Sequence, residues 1–200
     1  MDQLARLFQY PGDGYREQAA RCAETLGSPE LLEFARLVAP LRTGELQELF
    51  IQTFDLNPDC ALDIGWHIFG EQYERGEFLV KLRGEMRRFG LAESAELPDH
   101  LTHVLPLVAR MEEGEAAEFI ASFLLPALDK MIAALEKGVR LLCPVAQDVV
   151  NTSQATRGQS GLTPFSAITE EKGNPFASLL KALRSLAQAK SPVLLGGSHA

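Results

Sequence analysis

EAAEFIASFLLPALDKMIAALEK, residues 115–137, is the stretch whose reading decides the fold. Ala116, Phe119, Ile120, Phe123, Leu124, Ala127, Leu128, Met131, Ile132 and Leu135 recur at helical spacing and put one apolar stripe along it. Gly138 stands just past the end, where a left-handed C-cap is common. Pro126 falls inside the pattern and is expected to bend the helix rather than split it.

The same period extends outward in both directions. Tyr15–Leu26 and Pro29–Val38 read as short helices, with Ser28 and Pro29 at the N-cap and first-turn positions. Thr43 is placed to cap a helix carrying Leu46, Leu49, Phe50 and Phe54. Asn57-Pro58-Asp59 reads as the start of a helix bearing Leu62, Ile64, Trp66, Ile68 and Phe69, an apolar surface broad enough for a central position. Phe78, Leu79, Leu82, Met86 and Phe89 form the apolar face of the next helix, which ends at Gly90; Lys81, Arg83, Arg87 and Arg88 lie on its other side. Leu101–Met111 is helical despite Pro106, and Val139–Val150 reads as a further helix. No alternating strand pair is apparent. The expected architecture is all-α, a single-domain bundle of roughly eight to ten helices with antiparallel neighbours. A helical core is expected over 1–150, a Ser-, Thr- and Gly-rich flexible loop over 151–174, a C-terminal helix packing on the core over 175–189, and a loose tail over 190–200.

Composition narrows the function classes. The 200 residues are 46% apolar and 23% charged, with a net charge of −8, which argues against general nucleic-acid affinity and favours basic partners. No window approaches the ~20 apolar residues of a membrane span, and the N-terminus lacks the basic and apolar regions of a signal peptide. The three cysteines, Cys22, Cys60 and Cys143, are odd in number and scattered, which fits a reducing cytoplasm.

The chemistry-bearing candidates cluster around Glu96-Leu-Pro-Asp-His-Leu101. Pro98 biases Leu97 away from the helical region, and Asp99 is then a natural N-cap for the helix that follows. His100 and His103, at i and i+3, with Asp99 are the best metal candidate, but a site needs three or four ligands and no remainder is visible. His67 reads as a satisfied interior histidine and His103 as a surface or groove-lining residue. Nucleophile elbows, P-loops, dinucleotide fingerprints and Cys-x-x-Cys spacing are all absent, and no cofactor is expected. Trp66, Phe69, Tyr73 and Phe78 read either as core or as one wall of a groove for an amphipathic segment, with Glu71 and Arg75 beside it. Acidic groups at such a rim suit a basic leader peptide.

Three segments in order resemble a known family: Thr53-Phe54-Asp55-Leu56 leading to Gly70-Glu71, then Arg75-Gly76 with Leu79, then Glu96–Leu101. The Leu7–Pro11 start and Asn174–Leu180 are similar to it as well. This is the NarJ branch of the NarJ/TorD/DmsD redox-enzyme maturation chaperones, the delta subunits of respiratory nitrate reductase. The resemblance implies an all-helical, cytoplasmic assembly chaperone without catalytic turnover. It further implies binding of the N-terminal segment of a molybdenum-containing catalytic subunit, which is held until the molybdenum cofactor and iron–sulfur clusters are inserted. The family's Asp-His motif maps onto Asp99 and His100, and its acidic and Arg-Gly element onto Glu71, Arg75 and Gly76. Glu71 stands where the family favours Asp, and Trp66–Phe69 where it is tyrosine-rich; both leave open a client that is another relative of the dimethyl-sulfoxide-reductase type. The peptide-binding residues expected on this basis are Trp66, Phe69, Glu71, Tyr73, Arg75, Phe78, Asp99, His100 and His103. Neither nucleic acid nor membrane insertion is expected, and the chain is expected to be a monomer or a dimer. Two other classes stand beside the chaperone: a small helical metal-dependent enzyme using Asp99, His100 and His103, and a structural subunit retained in the mature complex.

Overall fold

A computed structural model describes residues 1–138 and 173–191. The expected helix over 139–150, nearly all of the expected loop and the tail beyond Ser191 lie outside the described residues. Within them the chain is all-α. Asp2–Ala5 (α1) continues as a 3-10 turn to Phe8 and is followed by Tyr15–Leu26 (α2) and Pro29–Val38 (α3). Thr43–Phe50 (α4) is prolonged by a π turn over Ile51–Asp55. A 3-10 turn at Pro58–Cys60 precedes Ile64–Phe69 (α5), then come Tyr73–Arg88 (α6), Leu101–Arg110 (α7) and Glu113–Phe119 (α8). A second π turn, Ile120–Leu124, joins α8 to Leu125–Gly138 (α9), and Pro175–Lys190 (α10) closes the series.

The stretch over residues 115–137 thus runs unbroken from α8 through α9, and Pro126 does not split it. The turn before the proline widens, so that the Leu125 N–H reaches the Ile120 carbonyl, five residues back. A widened turn gives the pyrrolidine ring room beside the preceding carbonyls, which an ordinary α-turn denies it.

Capping follows the sequence at two helices. The Ser28 hydroxyl accepts the Leu31 N–H, with Pro29 in the first turn of α3. Asn174 Oδ1 accepts the Phe176 N–H at 2.9 Å at the start of α10, while its amide donates to Thr53 Oγ1 at 2.8 Å. Thr43, expected as a cap, is instead the first residue of α4. Arg42 precedes it, and Glu45 Oε2 reaches back to accept the Arg42 N–H at 2.8 Å. With Arg42 rather than Thr43 at the N-cap, the glutamate three residues on satisfies the cap's own N–H, one half of a capping box.

The helix expected from Asn57 to Phe69 is also corrected. Leu62 and Asp63 stand outside the helix, Asp63 with extended backbone, and α5 is only six residues long. The Leu101 N–H donates to the Leu62 carbonyl and the Ile64 N–H to the Asp99 carbonyl, each at 3.0 Å, around a single antiparallel bridge of Asp63 with His100. Backbone pairing with a segment some 35 positions away overrides the local helical period, as tertiary context does for any short element.

α10 packs on α3 and α9, α2 on α3, α1 on α7, and α5 on α6 and α9. Two aromatic clusters mark the core. Phe34, Phe50 and Phe54 surround Phe176 with ring centroids 5.8, 5.7 and 4.9 Å from it, so the C-terminal helix is sealed into the N-terminal half. Phe69, Phe78, Phe119 and Phe123 form the second, beneath the corner where α5 meets α6.

Candidate functional site: the corner between α5, α6 and α7

Asp99 is not the cap of α7. Its side chain is fully buried and turns inward. Oδ2 accepts the Gly65 N–H at 3.1 Å, near the start of α5, and receives Arg75 Nε at 3.3 Å and a terminal guanidinium nitrogen at 3.2 Å. Arg75 also lies 3.6 Å from Asp63 Oδ2 and stacks over the Trp66 ring, 5.7 Å from its centroid. One guanidinium from α6 therefore holds a carboxylate from the entry to α7 and another from the entry to α5. Burial raises the Asp99 pKa, the neighbouring Asp63 raises it further, and Arg75 opposes both. Asp63 is raised by its own burial, against the pull of Arg75. Asp99 Oδ1 is buried with no partner among the described residues.

The cap of α7 is His100. Its Nδ1 accepts the Thr102 N–H at 3.2 Å and lies 2.7 Å from the Thr102 hydroxyl. Asp99 is drawn inward by a cation and an amide, so the next polar side chain takes the terminal N–H. An imidazole can do so only with Nδ1 unprotonated, and burial lowers the His100 pKa in the matching direction. His103, expected at the surface or in a groove, is buried as well. Its Nδ1 donates to the Leu97 carbonyl at 2.9 Å, and its Nε2 meets the Ser94 hydroxyl at 3.0 Å. His67 is a satisfied interior histidine, 2.7 Å from the Ala61 carbonyl. Among the described residues no three His, Cys, Asp or Glu side chains converge as metal ligands.

The four aromatic candidates occupy three environments. Phe78 is in the core. Phe69 and Trp66 are half-buried, with Trp66 Nε1 donating to the Pro58 carbonyl at 3.0 Å. Tyr73 is 82% exposed at the first position of α6. Glu71 is exposed in the turn between α5 and α6 and pairs with neither Arg75 nor any other cation among the described residues. Arg75, Asp99 and Trp66 are thus brought together as a clamp, with Tyr73 and Glu71 standing outside it. Gly65 and Asp63 belong to the same clamp and were not legible beforehand. A Cβ at Gly65 would come within 2.5 Å of Asp99 Oδ2 and 3.1 Å of the Phe78 ring. The only trace in the sequence is a glycine inside an apolar helical run.

Frame and corner together define an all-helical protein whose α5–α7 junction is held by a buried carboxylate paired with a half-buried guanidinium. Residues 18–140 match the family model described as nitrate reductase delta subunit, and the chain belongs to that family. It is similar to the nitrate reductase molybdenum cofactor assembly chaperone NarJ of Escherichia coli strain K12, 26% identical over 125 residues, 58% of this chain and 53% of the relative. The chain thus spans about half the length of that relative. It is also similar to the probable nitrate reductase molybdenum cofactor assembly chaperone NarJ of Bacillus subtilis strain 168, 28% identical over 142 residues, 67% of this chain and 77% of the relative. No helix among the described residues is long and apolar enough to cross a membrane.

Proposed function

We propose that the chain is a cytoplasmic assembly chaperone for a molybdenum-containing oxidoreductase of the nitrate reductase type. In this reading it binds the N-terminal segment of the catalytic subunit and holds the apo-subunit until the molybdenum cofactor and iron–sulfur clusters are in place. The observation that carries it is the family match over residues 18–140, which includes the whole α5–α7 corner. With Asp99 buried and Arg75 half-buried, their pair serves as a positioning device, setting the angle between α5, α6 and α7. Contact with the peptide then falls to the groups that the clamp presents outward: Tyr73, Glu71 and the open edges of Trp66 and Phe69. Tyrosine and tryptophan supply large apolar contact at low entropic cost, and the net charge of −8 suits a basic leader.

Calorimetric titration with a synthetic peptide of the first ~30 residues of the catalytic subunit, the length scale of a leader segment, tests this. Saturable binding is expected at micromolar concentration; no heat and no competition at tens of micromolar would sink it.

A further inference from the structure

The start of α10 is tied to the widened turn at the end of α4 by bonds in which each donor and acceptor has one role. The buried Thr53 hydroxyl donates to the Leu49 carbonyl at 2.6 Å, the back bond that a threonine makes inside a helix. With its one proton used there, the Thr53 oxygen is left as an acceptor. The Asn174 amide meets it, donating from Nδ2 at 2.8 Å across 121 positions of sequence, while Oδ1 is kept for the Phe176 N–H. Phe50 and Phe54, on either side of Thr53 in the sequence, pack against Phe176. α10 therefore grips the π turn over Ile51–Asp55 by one polar and two aromatic contacts.

That π turn leads into the corner. The Leu56 N–H closes it on the Ile51 carbonyl, and the 3-10 turn Pro58–Cys60 follows, packed against both the π turn and α9. The Pro58 carbonyl accepts the Trp66 Nε1–H at 3.0 Å. The Trp66 ring also carries the Arg75 guanidinium, 5.7 Å from its centroid. The indole is thus held by its N–H from the α4 side and by its face from α6. Because the ring is only half-buried, the placement of the Pro58 carbonyl bears directly on how its open edge stands.

We propose that Thr53 and Asn174 are positioning residues for the Trp66 rim: docking of the α10 start on the π turn sets the Pro58 carbonyl, and that carbonyl sets the ring. The state of the C-terminal helix is thereby felt at the α5–α7 corner. That the Trp66 edge meets a leader peptide rests on the chaperone reading above; that α10 sets the position of the ring does not.

Trp66 is the single tryptophan of the chain, so tryptophan emission from the full chain reports on it alone. Asn174→Ser keeps a capping oxygen for α10 but is too short to reach Thr53. Thr53→Val removes the hydroxyl at nearly constant shape, and Thr53→Ser retains it. Asn174→Ser and Thr53→Val are expected to move the emission maximum to longer wavelength and to raise the acrylamide quenching constant, with an unchanged circular dichroism spectrum; Thr53→Ser should match the wild type. Leu4 takes no part in these contacts, and Leu4→Ala, which opens a cavity where α1 meets α7, should lower the melting temperature without moving the emission. An unmoved signal in Asn174→Ser overturns the proposal, as does a Thr53→Ser shift equal to that of Thr53→Val. A shift in Leu4→Ala overturns it too, since the emission would then follow stability alone. Leader affinity, titrated with the same ~30-residue peptide, should fall about fivefold in Asn174→Ser, the scale of one neutral hydrogen bond. A shifted emission with full affinity upholds the positioning role and removes the Trp66 edge from the peptide contact.

Discussion

Asp99 Oδ2 and the backbone of Gly65 occupy one space: the oxygen accepts the Gly65 N–H at 3.1 Å, and a side chain at residue 65 would begin 2.5 Å from it. Removing the carboxylate leaves the buried face of Arg75 without its main counter-charge. Asp99→Ala is therefore expected to destabilise the protein by about 3 kcal/mol, the scale for breaking one partner of a buried pair. An N-cap loss would remove only ~1 kcal/mol. Gly65→Ala should destabilise by about 1–3 kcal/mol through overpacking against the same oxygen and Phe78. Urea denaturation of both variants is the check; a loss near the cap value at Asp99 would return that residue to a capping role.

Protonation of His100 should release the start of α7. Its folded-state pKa lies below the unfolded value of about 6.5. As pH falls through that value the unfolded chain takes up a proton that the folded chain refuses, so stability declines with falling pH until the folded pKa is passed. His67, also lowered by burial, contributes in the same direction. Asp99 and Asp63, raised by burial, work oppositely at lower pH, where the folded form binds the proton first. His100→Asn keeps a capping acceptor without the titration, and its stability curve should be visibly flatter just below pH ~6.5. An unchanged slope would show that the imidazole cap is not coupled to folding.

Tyr73 and Phe78 should separate binding from folding. Tyr73 is exposed, so Tyr73→Ala is expected to leave the melting temperature unchanged and to weaken leader-peptide affinity about tenfold, as loss of an aromatic anchor does. Phe78→Ala removes a core ring and should destabilise by about 3 kcal/mol. Titration calorimetry beside thermal melts distinguishes them; full peptide affinity in Tyr73→Ala would exclude that ring from the contact.

Phe176 is the keystone of the N-terminal aromatic cluster, fully buried among Phe34, Phe50 and Phe54. Phe176→Ala should destabilise by about 3–5 kcal/mol, measured in urea. A near-neutral outcome would mean that α10 is dispensable to the core.

Much of the helical frame was legible because amphipathic helices declare themselves locally. The stripe from Ala116 to Leu135, the Ser28–Pro29 start and the Phe176–Leu186 period each follow from residues within a few turns of one another. Failures came where distant groups competed. Nothing near Asn57–Phe69 announces that Leu62 and Asp63 leave the helix to pair with His100 and Leu101. Asp99 followed by His100 and Leu101 reads as a cap by every local rule, and it is Arg75, from another helix, that draws the carboxylate away. The sequence alone determined an all-α chain of this family and offered Asp99, His100 and Arg75 as candidates for its site. Tertiary structure alone decided that Asp99 clamps, that His100 caps, and that Tyr73 rather than Phe78 faces outward. Periodicity is a property of neighbours along the chain, whereas the fate of a buried charge depends on which opposite charge the fold brings within ~4 Å.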